Sequence, residues 1–230
     1  MKAKRELQTQ IEELRRGSLL RAAARVIQEK GYHATSMDDI AAAAGLTKPG
    51  LYYSIRGKQH LLYEIMTYTL DLYERVVVTP ARAVADAEQR IRGMIANHIR
   101  LIAEGENGRA ITIVTEEVVG LTPQHRRVIQ QRKRMYLEFI RDTFQQLKDE
   151  GKLKDLDPMA MAFAMQGMVL WLGYWFDPAG ALSGVQMAEQ YTEVLLHGTL
   201  KPVPYTQVRQ TRLATRVRSA RKTITNTNKK

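Results

Sequence analysis

The strongest constraint on the fold is the segment 35–61, TSMDDIAAAAGLTKPGLYYSIRGKQHL, which predicts two short helices separated by a glycine. Ser36 and the carboxylate three positions later form a capping-box variant that starts the first helix. Gly45 suits the left-handed residue that ends this helix. Thr47 is a plausible N-cap for the second helix, and Pro49 falls in its first turn, where a missing amide costs little. The segment therefore predicts a helix-turn-helix, the arrangement that places one helix in the major groove of DNA.

The second helix of this segment carries a basic and aromatic outer face. Leu51 is expected to point inward, which leaves the following residues on or near the outer face: Lys48, Gly50, Tyr52 and Tyr53. Tyrosines offer hydroxyls to phosphates and ring faces to thymine methyls, and glycine allows close approach. Lys58 begins the next helix, where its charge and the helix amides can both hold a phosphate. The alternative is two short helices of an ordinary all-α protein with half-buried tyrosines.

Over about its first 60 residues the chain resembles a TetR/AcrR-type transcriptional regulator. The matching residues are Leu19-Leu20, Ala22-Ala23, Gly31-Tyr32, Thr35-Ser36, Ile40-Ala41, Gly45-Leu46-Thr47, Leu51-Tyr52-Tyr53 and Lys58. The resemblance implies a homodimeric repressor that a small-molecule ligand releases from a palindromic operator in double-stranded DNA. It also implies phosphate contacts by Thr35, Tyr52 and Lys58, and positions that meet or approach bases at Thr47, Lys48, Gly50 and Tyr53.

The chain departs from the resembled pattern at three positions. Ile27 and Ile55 stand where phenylalanine is usual, and Gly57 stands where a serine or asparagine cap is common. We expect the two isoleucines to alter packing more than function. Glycine still caps a helix tolerably, so the helix that begins at Lys58 should still form.

The charge of the chain is unevenly distributed. Its net charge is +11, with an excess of +5 in residues 1–60, −3 in 61–200 and +9 in 201–230. Basic ends around a slightly acidic middle favour a DNA-binding module attached to a domain with another task. The absence of cysteine excludes disulfides and thiolate metal sites and suits a reducing cytoplasm. Because the N-terminus MKAKRELQTQ lacks the apolar core of a signal peptide, we expect a cytoplasmic protein.

The sequence predicts an all-α fold with a helix-turn-helix domain (1–57), a larger helical ligand-binding and dimerisation domain (58–200) and a basic, flexible tail (201–230). Periodicity and punctuation predict helices over about 9–30, 58–77, 81–104, 109–119, 123–150, 157–176 and 183–200. The tail has two open interpretations. One is an arm that adds nonspecific phosphate contacts, and the other is a solvated end without specificity.

The predicted helix over 157–176 is almost wholly apolar. It contains Met165, Met168, Trp171 and Trp175, and methionine-rich surfaces adapt to varied apolar ligands. We therefore expect this helix to wall a ligand pocket, while the alternative is that it fills the core or a dimer interface. A helix that is apolar all round is typically buried in a globule.

A membrane span over 157–176 is disfavoured because the apolar run is short, contains Gln166 and lacks flanking Lys or Arg anchors. In the resembled family, this helix and the one over 183–200 form a four-helix dimer interface.

The stretch Trp175-Phe176-Asp177-Pro178, Gly180, Leu182-Ser183 resembles the C-terminal turn of TetR-type regulators of fatty-acid, sterol and aromatic-acid catabolism. Many of these regulators sense acyl-coenzyme A thioesters, so the resemblance implies such an effector. Arginines able to clamp its phosphates are Arg109, Arg127 and Arg134. A solvated basic face is the alternative for each. Two other functions remain open: an efflux regulator that responds to hydrophobic or cationic drugs, and a sequence-nonspecific architectural DNA-binding protein.

No pattern in the chain indicates an enzyme. It has no nucleophile elbow, no phosphate-cradling glycine loop and no HExxH, and its five histidines are dispersed. We therefore expect no catalytic residues, no metal site and no cofactor.

Overall fold

The protein is described by a computed structural model that covers residues 2–103, 113 and 120–202. Across these residues the chain is mostly helical, with one isolated β-bridge between Leu153 and Leu200 in place of any strand. The helices, in chain order, are α1 (Lys2–Lys30), α2 (Met37–Ala43), α3 (Lys48–Ser54), α4 (Lys58–Tyr73), α5 (Thr79–Arg82), α6 (Ala87–Ala103), α7 (Pro123–Asp149), α8 (Pro158–Trp175) and α9 (Gly184–Thr199). The predicted all-α class is confirmed. Arg109, most of the predicted helix 109–119 and the tail from residue 203 lie outside the described residues.

Helix α1 supports the N-terminal unit (α1–α3) through an apolar stripe at i, i+3, i+4 and i+7 spacing. Leu20, Ala23, Ala24 and Ile27 are all at most 2% exposed. The helix starts at Lys2 rather than near residue 9, because residues 2–8 are mostly strong helix formers and include no glycine or proline. Sequence periodicity reveals the packed part of a helix and misses an unpacked extension.

The ends of α2 and α3 have the local chemistry that the sequence predicts. The Asp39 amide donates to the Ser36 hydroxyl at 3.1 Å, and the Ser36 amide donates to the Asp39 carboxylate at 2.9 Å, which completes the capping box. Gly45 follows α2 with a φ of +65°. The Thr47 hydroxyl accepts from the Gly50 amide at 3.2 Å and caps α3. These short-range bonds set the turn between the two helices.

The departures from the resembled pattern are accommodated in the N-terminal unit. Ile27 and Ile55 are buried at 2% and 3% exposure. Gly57 precedes α4 with a φ of +148°, a conformation that residues with a β-carbon rarely adopt.

The segment predicted as one helix over 58–77 consists of an α-helix followed by a π-helical turn. Helix α4 ends at Tyr73 and continues into a π-helical turn, Glu74–Val78, in which the Thr79 amide donates to the Glu74 carbonyl. Pro80 lies in the first turn of α5, directly after the π-helical turn. Helix α6 consequently begins at Ala87 rather than near 81.

The C-terminal unit consists of two helix pairs around one core. Helix α6 packs on α9, and α7 packs on α8. Their buried side chains form one apolar cluster with those of α1–α4. A backbone bond of 2.8 Å from Lys154 to Thr199 ties the segment after α7 to the end of α9.

Helix α8 buries only one face, which corrects the expectation of complete burial. Met165 and Leu172 point into the core, whereas Phe163, Trp171 and Trp175 are 58%, 63% and 51% exposed. The neighbouring helix α9 also exposes apolar side chains. The exposed apolar residues of both helices, called the α8–α9 face below, are Phe163, Trp171, Tyr174, Trp175, Val185 and Val194. Among the described residues, no helix combines the length and apolarity needed to cross a membrane.

Candidate nucleic-acid interface and effector cavity

Helix α3 presents one face to solvent and anchors the other. Leu51 is fully buried and Ile55 is 3% exposed, so the side chains at these i and i+4 positions hold the helix against the core. Tyr52 and Tyr53 are rotated away from this anchor and are 44% and 94% exposed. Lys48 is also exposed. The outer face therefore carries the cation and the two phenols that the sequence places there.

Lys48 is held at the surface by a neighbouring carboxylate. Its Nζ lies 3.0 Å from Asp38 Oδ1 and 3.1 Å from Oδ2. The hydrogen bond and the charge of Asp38 raise the pKa of Lys48, which keeps it cationic. Because exposed ion pairs contribute little free energy, Lys48 can exchange Asp38 for a phosphate or a base acceptor at small cost.

Two of the predicted phosphate-contacting residues have other partners. Thr35 is only 2% exposed, and its hydroxyl donates to the Gly31 carbonyl at 2.8 Å, so the loop after α1 uses this group internally. Lys58 Nζ donates to the His33 carbonyl at 3.0 Å and lies 4.6 Å from the centre of the Tyr32 ring. The family resemblance predicts where a residue lies in the fold, but the packing of the loop decides where the polar atom of that residue points.

A further cation near α3 was not predicted from the sequence. Arg56 is exposed directly after the helix. The inward positions Leu51 and Ile55 provide the missing signal, since a residue next to a buried one near the end of α3 projects outward. Arg56 extends the basic surface that α3 begins with Lys48.

The described part of the C-terminal unit (α4–α9) includes a larger and a smaller cavity. The larger is an open groove of about 710 Å³ between α6 and α9, with Arg92 and Arg100 on one side and Glu189 and Glu193 on the other. The smaller has a volume of about 70 Å³ and lies between α4, the π-helical turn and α7. Its lining includes Tyr73, Val78, Arg82, Arg132 and Tyr136.

None of the described residues predicted to bind the effector lines either cavity. Arg127 and Arg134, seven positions apart, share a face of α7, but they are exposed and lie about 180° around the helix from the buried Tyr136. Arg132, on the same helix, borders the smaller cavity instead.

The predicted pocket wall on α8 also faces elsewhere. Met165 is 1% exposed within the core, and Met168 is half-buried. Trp171 and Trp175 point to solvent on the α8–α9 face. The sequence identifies an apolar helix correctly, but it does not reveal which side of that helix meets the rest of the chain.

Two family models match the chain. The one described as bacterial regulatory proteins, tetR family, matches residues 19–65. The one described as tetracyclin repressor-like, C-terminal domain, matches residues 84–199. The chain belongs to the TetR family.

Similarity to individual TetR-family proteins extends over most of the chain. The crystal structure of AibR in complex with isovaleryl coenzyme A and operator DNA is 37% identical, with a TM-score of 0.73, over 79% of this chain and 98% of AibR. The HTH-type transcriptional repressor KstR2 of Mycobacterium tuberculosis is 27% identical over 190 residues, which are 81% of this chain and 94% of KstR2. The HTH-type transcriptional activator FasR of Mycolicibacterium smegmatis is 35% identical over 94 residues, or 41% of this chain and 43% of FasR.

Membership of the TetR family settles the class of activity. The chain is a DNA-binding transcriptional regulator and not an enzyme, as the sequence predicts. The N-terminal match includes α2 and α3, and the C-terminal match includes the larger groove and the α8–α9 face. Within the described ranges, no three His, Asp or Glu side chains are grouped closely enough to hold a metal ion.

Proposed function

We propose that this TetR-family protein is a homodimeric repressor of a palindromic operator, released from DNA by an acyl-coenzyme A thioester. The observation that carries the proposal is the 37% identity to AibR over 98% of that chain, because the AibR complex contains both operator DNA and isovaleryl coenzyme A. Two surfaces of this chain and the border of its smaller cavity support the proposal independently.

The first surface is the outer face of α3. Lys48, Tyr52, Tyr53 and Arg56 are exposed together on or next to a short helix anchored by Leu51. This helix is narrow enough to enter the major groove, where a lysine can reach guanine acceptors and phenols can reach phosphates or thymine methyls. Gly50 and the capping Thr47 lie at its N-terminal end, the end that meets bases in helix-turn-helix proteins.

The second surface is the α8–α9 face, which we assign to dimerisation. Helix α8 contains no Asp, Glu, Lys or Arg, so its exposed half is uncharged. Large apolar side chains exposed in such number typically mark a protein interface. A twofold axis would pair the face with itself and place two α3 helices about 34–36 Å apart, which matches a palindrome.

The effector assignment is supported by guanidinium groups at the smaller cavity. Arg82 lies 2.8 Å from Glu74, and Arg132 lies 2.8 Å from Asp71. These exposed pairs can exchange a carboxylate for a phosphate of coenzyme A at small cost. Arg127 and Arg134 lie on the opposite face of α7, so a role in phosphate binding would be limited to the outer part of the ligand.

The test begins with operators enriched from random double-stranded DNA by the full chain. A gel-shift titration then adds isovaleryl coenzyme A, a long-chain acyl-coenzyme A, the matching free acids and a cationic drug. We expect release by a thioester at micromolar concentration and little effect of the free acids. Release by a free acid or by the drug, with no effect of any thioester, would assign the protein to another effector class.

A second arm of the test separates a regulator from an architectural protein. A regulator keeps a strong preference for its palindrome over random competitor DNA at physiological salt, whereas nonspecific binding depends mainly on phosphate contacts and falls steeply with salt. Equal competition by both DNAs would contradict the proposal.

A further inference from the structure

An exposed ion pair joins the two helices of the helix-turn-helix. Asp38 lies in the first turn of α2, and Lys48 is the first residue of α3. The Lys48 ammonium lies 3.0 Å from one carboxylate oxygen of Asp38 and 3.1 Å from the other. The side chains of Asp38 and Lys48 are 65% and 57% exposed. The pair therefore lies at the N-terminal end of α3, on the surface that we propose to face DNA.

The two adjacent carboxylates of α2 differ in what they bind. Asp39 completes the capping box with Ser36, and its Oδ1 lies 2.7 Å from Lys30 Nζ. The hydrogen bonds from Lys30 and Ser36 lower the pKa of Asp39. Asp38 is not part of the capping box, and within the described ranges its one cationic partner is Lys48. Because the start of α2 does not depend on the Asp38 carboxylate, its exposed oxygens can accept hydrogen bonds from a ligand.

A carboxylate is an unusual group on a surface that binds DNA, because phosphates repel it. Beside the phosphate backbone, Asp38 would weaken binding to every sequence alike. At the N-terminal end of a recognition helix, however, side chains meet base edges. A carboxylate there can accept a hydrogen bond from a base amino group. The position of Asp38 beside the first residue of α3 favours this second use.

The ion pair matches the major-groove edge of a G·C base pair. Cytosine N4 donates to guanine O6 within the base pair, so this donor and this acceptor lie side by side, about 2.9 Å apart. The Asp38 carboxylate and the Lys48 ammonium are 3.0 Å apart, so the two groups can meet both atoms at once. An A·T pair offers a similar donor and acceptor, adenine N6 and thymine O4. Guanine adds a second acceptor, N7, for the ammonium.

We propose that Asp38 and Lys48 together read one G·C base pair in each half of the operator. Asp38 accepts from cytosine N4, and Lys48 donates to guanine O6 and N7. This inference rests on the proposed function, which places α3 in the major groove, and it assigns a base contact to a residue of α2. With the base pair reversed, the carboxylate would face guanine O6, an acceptor. Asp38 therefore contributes discrimination between sequences rather than affinity for DNA.

The test compares wild type with Asp38→Ala on operators that the wild-type chain enriches from random DNA. Each base pair of the half-site is substituted in turn, and binding is measured by competition gel shifts. We expect wild type to favour G·C at one position of each half-site by about tenfold or more. The variant should lose most of this preference at that position alone. Its affinity for random DNA should rise several-fold, because a charge that phosphates repel is gone.

Base analogues identify the atoms that are read. Replacing the cytosine by 2-pyrimidinone removes the N4 amino group, which should weaken binding by wild type much more than binding by Asp38→Ala. Replacing the guanine by 7-deazaguanine removes N7, which should weaken binding by wild type much more than binding by Lys48→Ala. Asp142→Ala is the matched control, since it removes another exposed and paired carboxylate, next to Arg141 on α7. This control should keep the wild-type base preference and the wild-type affinity for random DNA.

The outcomes separate a base contact from a structural role and from failure of the proposed function. Exposed ion pairs contribute little free energy, so Asp38→Ala should melt near the wild-type temperature. A large fall in melting temperature with uniform loss of affinity would make Asp38 a structural residue and overturn the base assignment. The assignment is also overturned if Asp38→Ala keeps every base preference, or if 2-pyrimidinone weakens both proteins equally; operator binding by α3 then stands. If wild type selects no sequence at all, the proposed function and the base assignment are both overturned.

Discussion

Charge placed on the α8–α9 face should dissociate the protein into monomers. Trp171 is 63% exposed in the single chain, which leaves roughly 150 Å² of a large aromatic side chain in water. At about 25 cal/mol per Å², burying this area stabilises the dimer by about 3–4 kcal/mol per copy. Both copies lie at a twofold interface, and ordering costs offset part of the gain. We expect Trp171→Asp to raise the dimer dissociation constant by at least about a thousandfold.

Sedimentation velocity over a range of concentrations measures this effect, and gel shifts with full and half operators measure its consequence. Val128→Asp is the matched control, since it places the same charge at an exposed apolar position of α7. The variant at 171 should bind a half operator normally and lose the tight, cooperative binding of the palindrome. A Trp171→Asp protein that stays dimeric at submicromolar concentration would refute the assignment of this face.

Three further predictions concern α3 and the buried histidine. Lys48→Ala should weaken operator binding and relax base preference, whereas Tyr52→Phe should weaken binding to all DNA sites similarly, by several-fold. Competition gel shifts distinguish these two patterns. Full operator affinity in both variants would mean that the recognition surface lies elsewhere. Leu51→Ala should lower the free energy of unfolding by about 2–5 kcal/mol in urea titrations, because the side chain is fully buried, and Tyr52→Phe should not. Burial lowers the pKa of His98 to about 3 in the folded protein, so its contribution to stability is complete above about pH 6.5 and is lost as the pH falls towards 3. Between pH 7 and 5 the wild-type protein should lose about 2 kcal/mol of stability through this group. Urea titrations at the two pH values should show that His98→Gln removes most of that loss, and an unchanged loss would contradict neutral burial.

The local structure of the N-terminal unit could be predicted because its determinants lie within a few residues of one another. The capping box at Ser36, the positive φ at Gly45 and the Thr47 cap each depend on bonds over three or four positions. The inward direction of Leu51 follows from helical periodicity in the same way. Short-range chemistry of this kind can be inferred before any tertiary contact is known.

The direction of long-range contacts could not be predicted in the same way. The family resemblance implies that Thr35 and Lys58 contact DNA phosphates, yet their polar atoms bond to carbonyls of the loop that follows α1. The buried meeting of Tyr73, His98 and Tyr136 joins residues separated by up to 63 positions. No spacing rule predicts such a cluster, because it depends on how α4, α6 and α7 pack.

The amino-acid sequence by itself determined the helical class, the turn between α2 and α3, the outward face of α3 and the family. Only the tertiary structure decided that Trp171 and Trp175 face solvent, that Arg127 and Arg134 lie away from the cavities, and that the Tyr73 hydroxyl and His98 Nε2 are buried without a hydrogen-bond partner among the described residues. The physical reason is that periodicity identifies which residues share a side of a helix. Packing between segments distant in the sequence decides whether another helix covers that side or leaves it exposed to solvent.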